Sequence, residues 1–191
     1  MLHARKWLAI TGKPLAATAG ARMFERGGNA VDAACAMLAV TCTMWDTLGW
    51  GCETQALVWH PQRREVIGVN ALGVAPSGAT PELFRAQGLR YPPEHGPLAA
   101  VTPGTPGGLF VMLAEWGRLT LADVLPIEAQ LVSTLKREQE RLAAWPFSRA
   151  LFLPRGGAPP EMGEVFRQPD LARTLRRLVE VESAARARGA D

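Results

Sequence analysis

The chain has 191 residues, of which 48% are apolar and 20% charged, with a net charge of +3 and a pI near 9.1. That length fits one domain or a large part of one, and the apolar fraction supports a real core, which excludes a disordered chain. The weak positive charge does not by itself call for nucleic acid.

At the N-terminus, His3, Arg5 and Lys6 precede a short apolar stretch, Trp7 to Ile10, closed by Gly12-Lys13-Pro14. This is too short for a secretory signal, and no run approaches the roughly 18 apolar residues of a membrane span, so a cytoplasmic protein with no membrane partner is expected. Trp7 to Thr11 reads as a short strand. Pro14 suits the first turn of a helix, where its missing N–H costs nothing, and this helix should run to about Arg26. Gly27 and Gly28 supply a left-handed stop. Asn29 then caps a second helix, Ala30 to about Thr43, with Asp32 in its first turn where negative charge suits the dipole. Ala33, Ala34, Ala36 and Ala39 predict close packing of this helix at the centre of a core.

Cys35 and Cys42 lie seven positions apart on that helix, about 10 Å along its axis. Disulfides need Cα atoms within about 7 Å, so these two read as buried free thiols of a reducing compartment. No Cys/His spacing forms a zinc site, His3, His60 and His95 are scattered, and neither metal nor cofactor is expected. Asp46 to Glu53 reads as a loop. Gly49-Trp50-Gly51 lacks the third glycine of a dinucleotide fingerprint, and Gly12-Lys13 lacks the frame of a P-loop.

Ala56 to Trp59 and Val66 to Val69 read as two strands joined through Pro61 to Arg64, a β-hairpin. Pro76 to Thr80 is a turn, and Thr80 caps a short helix, Pro81 to Gln87. Gly88 to Pro97 is a polar loop. Val101 to Gly108 leads into a helix from Leu109 to Trp116, with Gly104 and Gly107-Gly108 read as close backbone packing rather than an anion site. Thr120 caps Leu121 to Leu125. Ala129 to Ala144 is patterned as an amphipathic helix, Phe147 to Val165 as irregular chain, and Asp170 to about Arg188 as a final helix that buries Leu171, Leu175, Leu178 and Val179. Arg173, Arg176, Arg177, Arg186 and Arg188 on that helix read as a solvated face with Glu180 and Glu182, so no nucleic-acid partner is expected.

Several of these segments, in this order, resemble the γ-glutamyltranspeptidase family. Pro14 to Val40, with its Gly27-Gly28-Asn29-Ala30-Val31-Asp32-Ala33-Ala34 turn, looks like the opening of that family's large subunits. Val101-Thr102-Pro103-Gly104-Thr105-Pro106-Gly107-Gly108-Leu109 is similar to its Val-Pro-Gly-Thr-Val-Ala-Gly-Leu segment, and Trp116 to Leu125 to its His-Tyr-Gly-Lys-Leu-Pro-Trp helix start. Leu151 to Pro154, Gly163-Glu164 and Gln168 to Leu175 resemble its distal signature. The likeness covers roughly residues 9 to 180.

The resemblance implies an N-terminal-nucleophile hydrolase, an α/β/β/α sandwich of the α/β class. Residues 1–191 would be its large (α) subunit region, mainly helical with one β-hairpin, acting on a small γ-glutamyl or acyl-amide substrate. The family's nucleophile is a threonine at the start of a separate small (β) subunit, whose freed α-amine serves as base. This chain contains no Thr-Thr pair, so no catalytic residue is expected in it and the small subunit is the expected partner. Asn70, Leu72 and Gly73 are the residues expected to border the substrate pocket. Leu72 stands where the family's γ-glutamyl enzymes carry an arginine that grips the substrate carboxylate, which places the chain closer to an acylase-like branch. Pro126-Ile127 follows Leu125 at once, where the family has about ten further residues, so near 125–126 either a loop was lost or residues are missing. The alternative is a non-enzymatic binding or scaffold protein derived from the family.

Overall fold

A computed structural model of the chain describes residues 3–43, 49–125, 139–161, 164 and 167–189. Its elements, in chain order, are α1 (Pro14–Glu25), α2 (Ala30–Thr43), β1 (Thr54–His60), β2 (Glu65–Ala71), α3 (Pro81–Ala86), a 3-10 turn (Pro97–Ala99), α4 (Thr105–Trp116), α5 (Leu121–Val124), α6 (Gln139–Ala143), α7 (Pro146–Phe152) and α8 (Pro169–Ala187). They fall into two compact units, Met1–Thr47 with Gly117–Asp191, and Leu48–Trp116.

In the first unit α1 packs along α2. Helix α1 buries Ala16, Gly20 and Met23, a helical spacing that puts all three on one face. Its stop is Gly27, whose φ of 85° is open to glycine at little steric cost; Gly28 does not share that left-handed conformation. Asn29 and Asp32 then form a reciprocal cap for α2. The Asn29 Oδ1 accepts from the N–H of Val31 at 2.8 Å and of Asp32 at 3.2 Å, while Asp32 Oδ2 accepts from the Asn29 N–H at 2.7 Å. The second helix is buried on most of its circumference, including Ala33, Ala36 and Ala39, although Ala34 is exposed.

Asp32 has no exposed surface. Its carboxylate also accepts from the N–H of Arg118 at 3.0 Å and of Leu119 at 3.0 Å, which ties the segment ahead of α5 to the start of α2. Thr120 and Asp123 form a capping box on α5, and Arg26 at the end of α1 reaches Asp123 Oδ1 at 2.6 Å. Glu182 of α8 accepts from the Leu121 N–H at 3.2 Å.

Three expectations are corrected in this unit. Trp7 to Thr11 forms no strand; with no strand alongside it among the described residues to complete its hydrogen bonds it stays irregular, and the Trp7 ring stacks on Phe24 of α1 at 4.9 Å. The stretch after Phe147 is not wholly irregular: Pro146 opens α7 at a position that needs no N–H. Leu171, Leu175, Leu178 and Val179 of α8 are half-buried rather than buried. The predicted helix from Ala129 to Ala144 is observed as α6, and its earlier part and the 125–126 junction lie outside the described residues. Cys35 and Cys42 are buried and Cys52 is partly exposed, and none of the three is in a disulfide among the described residues.

The second unit is a two-stranded antiparallel hairpin packed on α4. Thr54 pairs with Ala71 at its open end and His60 with Glu65 at its turn. The turn holds Arg64 at a φ of 53°, and the His60 Nδ1 accepts from the Arg63 N–H at 3.3 Å. Helix α4 starts at Thr105, earlier than the expected Leu109. Pro106 fits the first turn of a helix, and the two glycines that suggested a loop sit inside it because Gly108 packs against Ala71 and Thr54. Among the described residues no helix is long and apolar enough to cross a membrane.

Candidate functional site

The expected pocket residues Asn70, Leu72 and Gly73 occupy the open end of the hairpin. Asn70 is exposed on β2, opposite Gln55 of β1. Its Oδ1 accepts from the Leu72 N–H at 3.3 Å, a local turn of the kind asparagine favours, which bends the chain as it leaves the sheet. Leu72 is 42% exposed. Gly73 is half-buried, pressed against the Val101–Thr102 backbone so closely that a Cβ there would collide with the Thr102 carbonyl oxygen. One residue on, the Val74 carbonyl accepts from the Thr102 N–H at 2.9 Å.

This crossing is closed by Gly104 and Cys52. A Cβ at Gly104 would strike the Ala71 carbonyl oxygen, and the Cys52 carbonyl accepts from the N–H groups of Gly104 at 2.9 Å and Thr105 at 3.0 Å. The Thr54 hydroxyl donates to the buried Thr105 hydroxyl at 3.2 Å. The 49–52 segment, the strand ends and the start of α4 thus form one close-packed backbone junction, with Asn70, Leu72 and Val101 exposed on it. Residues 44–48, including Asp46, lie outside the described residues. The indole N–H of Trp50 is buried and has no acceptor among the described residues. Among the described residues no cluster of His, Cys, Asp and Glu has the arrangement to hold a metal ion.

The two faces of the hairpin differ. Ala56, Val58, Ile67, Val69 and Ala71 form the half-buried face. On the other face, Leu57 is 81% exposed, Trp59 57% and Val66 59%; Leu57 pairs with Gly68, and Trp59 with Val66. Sequence reasoning found the strands but not this bare apolar face. The signal was present: Ala56-Leu57-Val58-Trp59 is apolar without alternation, the pattern of a strand covered on both sides.

Comparison with known proteins gives this junction its setting. A family described as Gamma-glutamyltranspeptidase matches residues 16–187. The chain belongs to the γ-glutamyltranspeptidase family. It is 31% identical over 188 residues to the glutathione hydrolase-like YwrD proenzyme of Bacillus subtilis (strain 168), covering 92% of this chain and 35% of that protein. It is also 31% identical over 193 residues to the acylase ACY 1 proenzyme of Pseudomonas sp. (strain SE83), covering 88% and 34%. Among solved structures, γ-glutamyltranspeptidase of Helicobacter pylori superposes with a TM-score of 0.83 at 28% identity, over 95% of this chain and 56% of that one. Cephalosporin acylase from Bacillus halodurans does so with a TM-score of 0.77 at 29% identity, over 96% and 39%. The expected fold class is therefore the observed one: this chain folds as the matching portion of N-terminal-nucleophile hydrolases. It spans 35% and 31% of the length of two of the curated relatives it matches.

Proposed function

We propose that residues 1–191 belong to the large-subunit region of an acylase-like amidohydrolase or acyltransferase of the γ-glutamyltranspeptidase family. The observation that carries the proposal is the uncovered apolar face of the hairpin, Leu57, Trp59 and Val66, on a sheet with two strands among the described residues. A two-stranded sheet with a bare apolar side is marginal in water and gains most from further cover. The occupant is the polypeptide that makes up the remaining length of the relatives. In this reading the small subunit carries the threonine nucleophile, which attacks the substrate carbonyl, forms an acyl-enzyme and releases the amine; water or a second amine then takes the acyl group.

Asn70, Leu72 and Gly73 then border the acyl side of the pocket. Leucine offers no donor to a substrate carboxylate, so the pocket favours acyl groups without a charged α-amino acid end. Three cysteines outside any disulfide among the described residues fit the expected reducing, cytoplasmic location.

The chain co-produced with a processed small subunit should release p-nitroaniline from an acyl anilide, while the chain alone should not. A fully processed pair that hydrolyses no acyl amide overturns the reading. Denaturing mass spectrometry of the native preparation decides the alternative: a second chain beginning with threonine supports the enzyme, and a lone stable monomer supports a scaffold.

A further inference from the structure

We propose that the cleft beside α3 is a binding site for a small organic acid: a carboxylate on an apolar or aromatic body. This site is formed by one stretch, residues 79–92, and does not depend on the proposed catalytic reading. Gly88, with a φ of 72°, ends α3 and folds the following residues back along it. The Leu89 N–H donates to the Phe84 carbonyl at 2.9 Å to hold the reversal. Two adjoining depressions result, of about 610 Å³ and about 240 Å³, and both are lined by Arg85 and Arg90. The larger is within the range of about 300–1,000 Å³ that small-molecule sites occupy.

The lining has two chemistries. Leu89 and Tyr91 in the larger depression, and Pro81, Phe84 and Pro92 in the smaller, offer apolar and aromatic surface. The two guanidinium groups offer planar paired donors that match a carboxylate. Arg90 lies over the Tyr91 ring, its Cζ 5.3 Å from the centroid, a cation–π contact that limits its swing. Arg85 pairs with Glu82 at 3.3 Å, and both side chains are mostly exposed. Such surface pairs contribute little, so a ligand carboxylate displaces Glu82 at small cost.

Tyr91 is the chain's single tyrosine, so the full chain labelled with 3-fluorotyrosine gives one ¹⁹F resonance, located in the cleft. Titration with 1-naphthylacetate should shift that line saturably, with a Kd of about 1 mM or tighter. The R85Q/R90Q double variant, altered at exposed positions, should keep its circular dichroism and bind about tenfold or more weakly. Neutral 1-naphthylacetamide and inorganic phosphate should each shift the line far less. No shift with 1-naphthylacetate, an equal shift with the amide, an equal shift with phosphate, or unchanged binding in the double variant would each overturn the proposal.

Discussion

Asp32 holds three backbone N–H groups from two separate segments on one fully buried carboxylate. Removing the acceptor leaves three partly buried donors without it, so Asp32→Ala should lower the unfolding free energy by about 3 kcal/mol. Asp32→Asn keeps one acceptor oxygen and should cost less; urea melts of the three proteins test the order. One turn along α2, burial first and the Asp32 charge second push the Cys35 thiol up to about 12. An acid whose folded value is raised holds its full stability below its unfolded value. That stability is lost as pH climbs from about 8.5, the ordinary thiol value, through 12. In native protein at pH 8, brief iodoacetamide treatment should label Cys52 and spare Cys35, read by peptide mass. Leu72 tests the pocket reading: in an active assembled pair, Leu72→Arg should raise the preference for γ-glutamyl over neutral acyl anilides by about tenfold or more. An unchanged ratio of kcat/KM values would remove Leu72 from the pocket.

The helix boundaries that sequence reasoning placed well are those with local chemical causes. Pro14, Thr80 and Thr120 act within one turn of their own positions, and Asn29 with Asp32 caps α2 through contacts three residues apart. The early start of α4 has a cause that lies far along the chain. Gly108 sits inside α4 where the helix packs against Ala71 and Thr54 of the hairpin, a contact that no local propensity reports. The same crossing yields a prediction for the element: Gly104→Ala should drive a methyl group into the Ala71 carbonyl oxygen, forcing the 101–104 segment away from β2. Overpacking of this kind costs about 1–3 kcal/mol or more, and thermal melts of the variant measure it. Helix α8 was read as burying its leucine stripe, yet that stripe is half-buried and its defined polar link is Glu182 to the N-terminus of α5.

For the molecule as a whole, the uncovered hairpin face makes a joint prediction about solubility and assembly. Trp59→Lys should reduce self-association of the isolated chain, seen by light scattering, because a charge on an open apolar face opposes edge and face pairing. The same variant should weaken pairing with the small subunit, and unimpaired pairing would place the partner elsewhere. The sequence alone determined family membership, the hairpin, the capped helices and the lack of a Thr-Thr nucleophile pair, because motif order and local capping are written in neighbouring residues. Tertiary structure alone decided which side of the hairpin is bare, that Asp32 is a fully buried backbone anchor rather than a simple dipole residue, and that Arg85, Arg90 and Tyr91 share a cleft. Each of these is set by which surfaces meet after the chain folds back on itself, and burial of that kind has no counterpart in residue spacing.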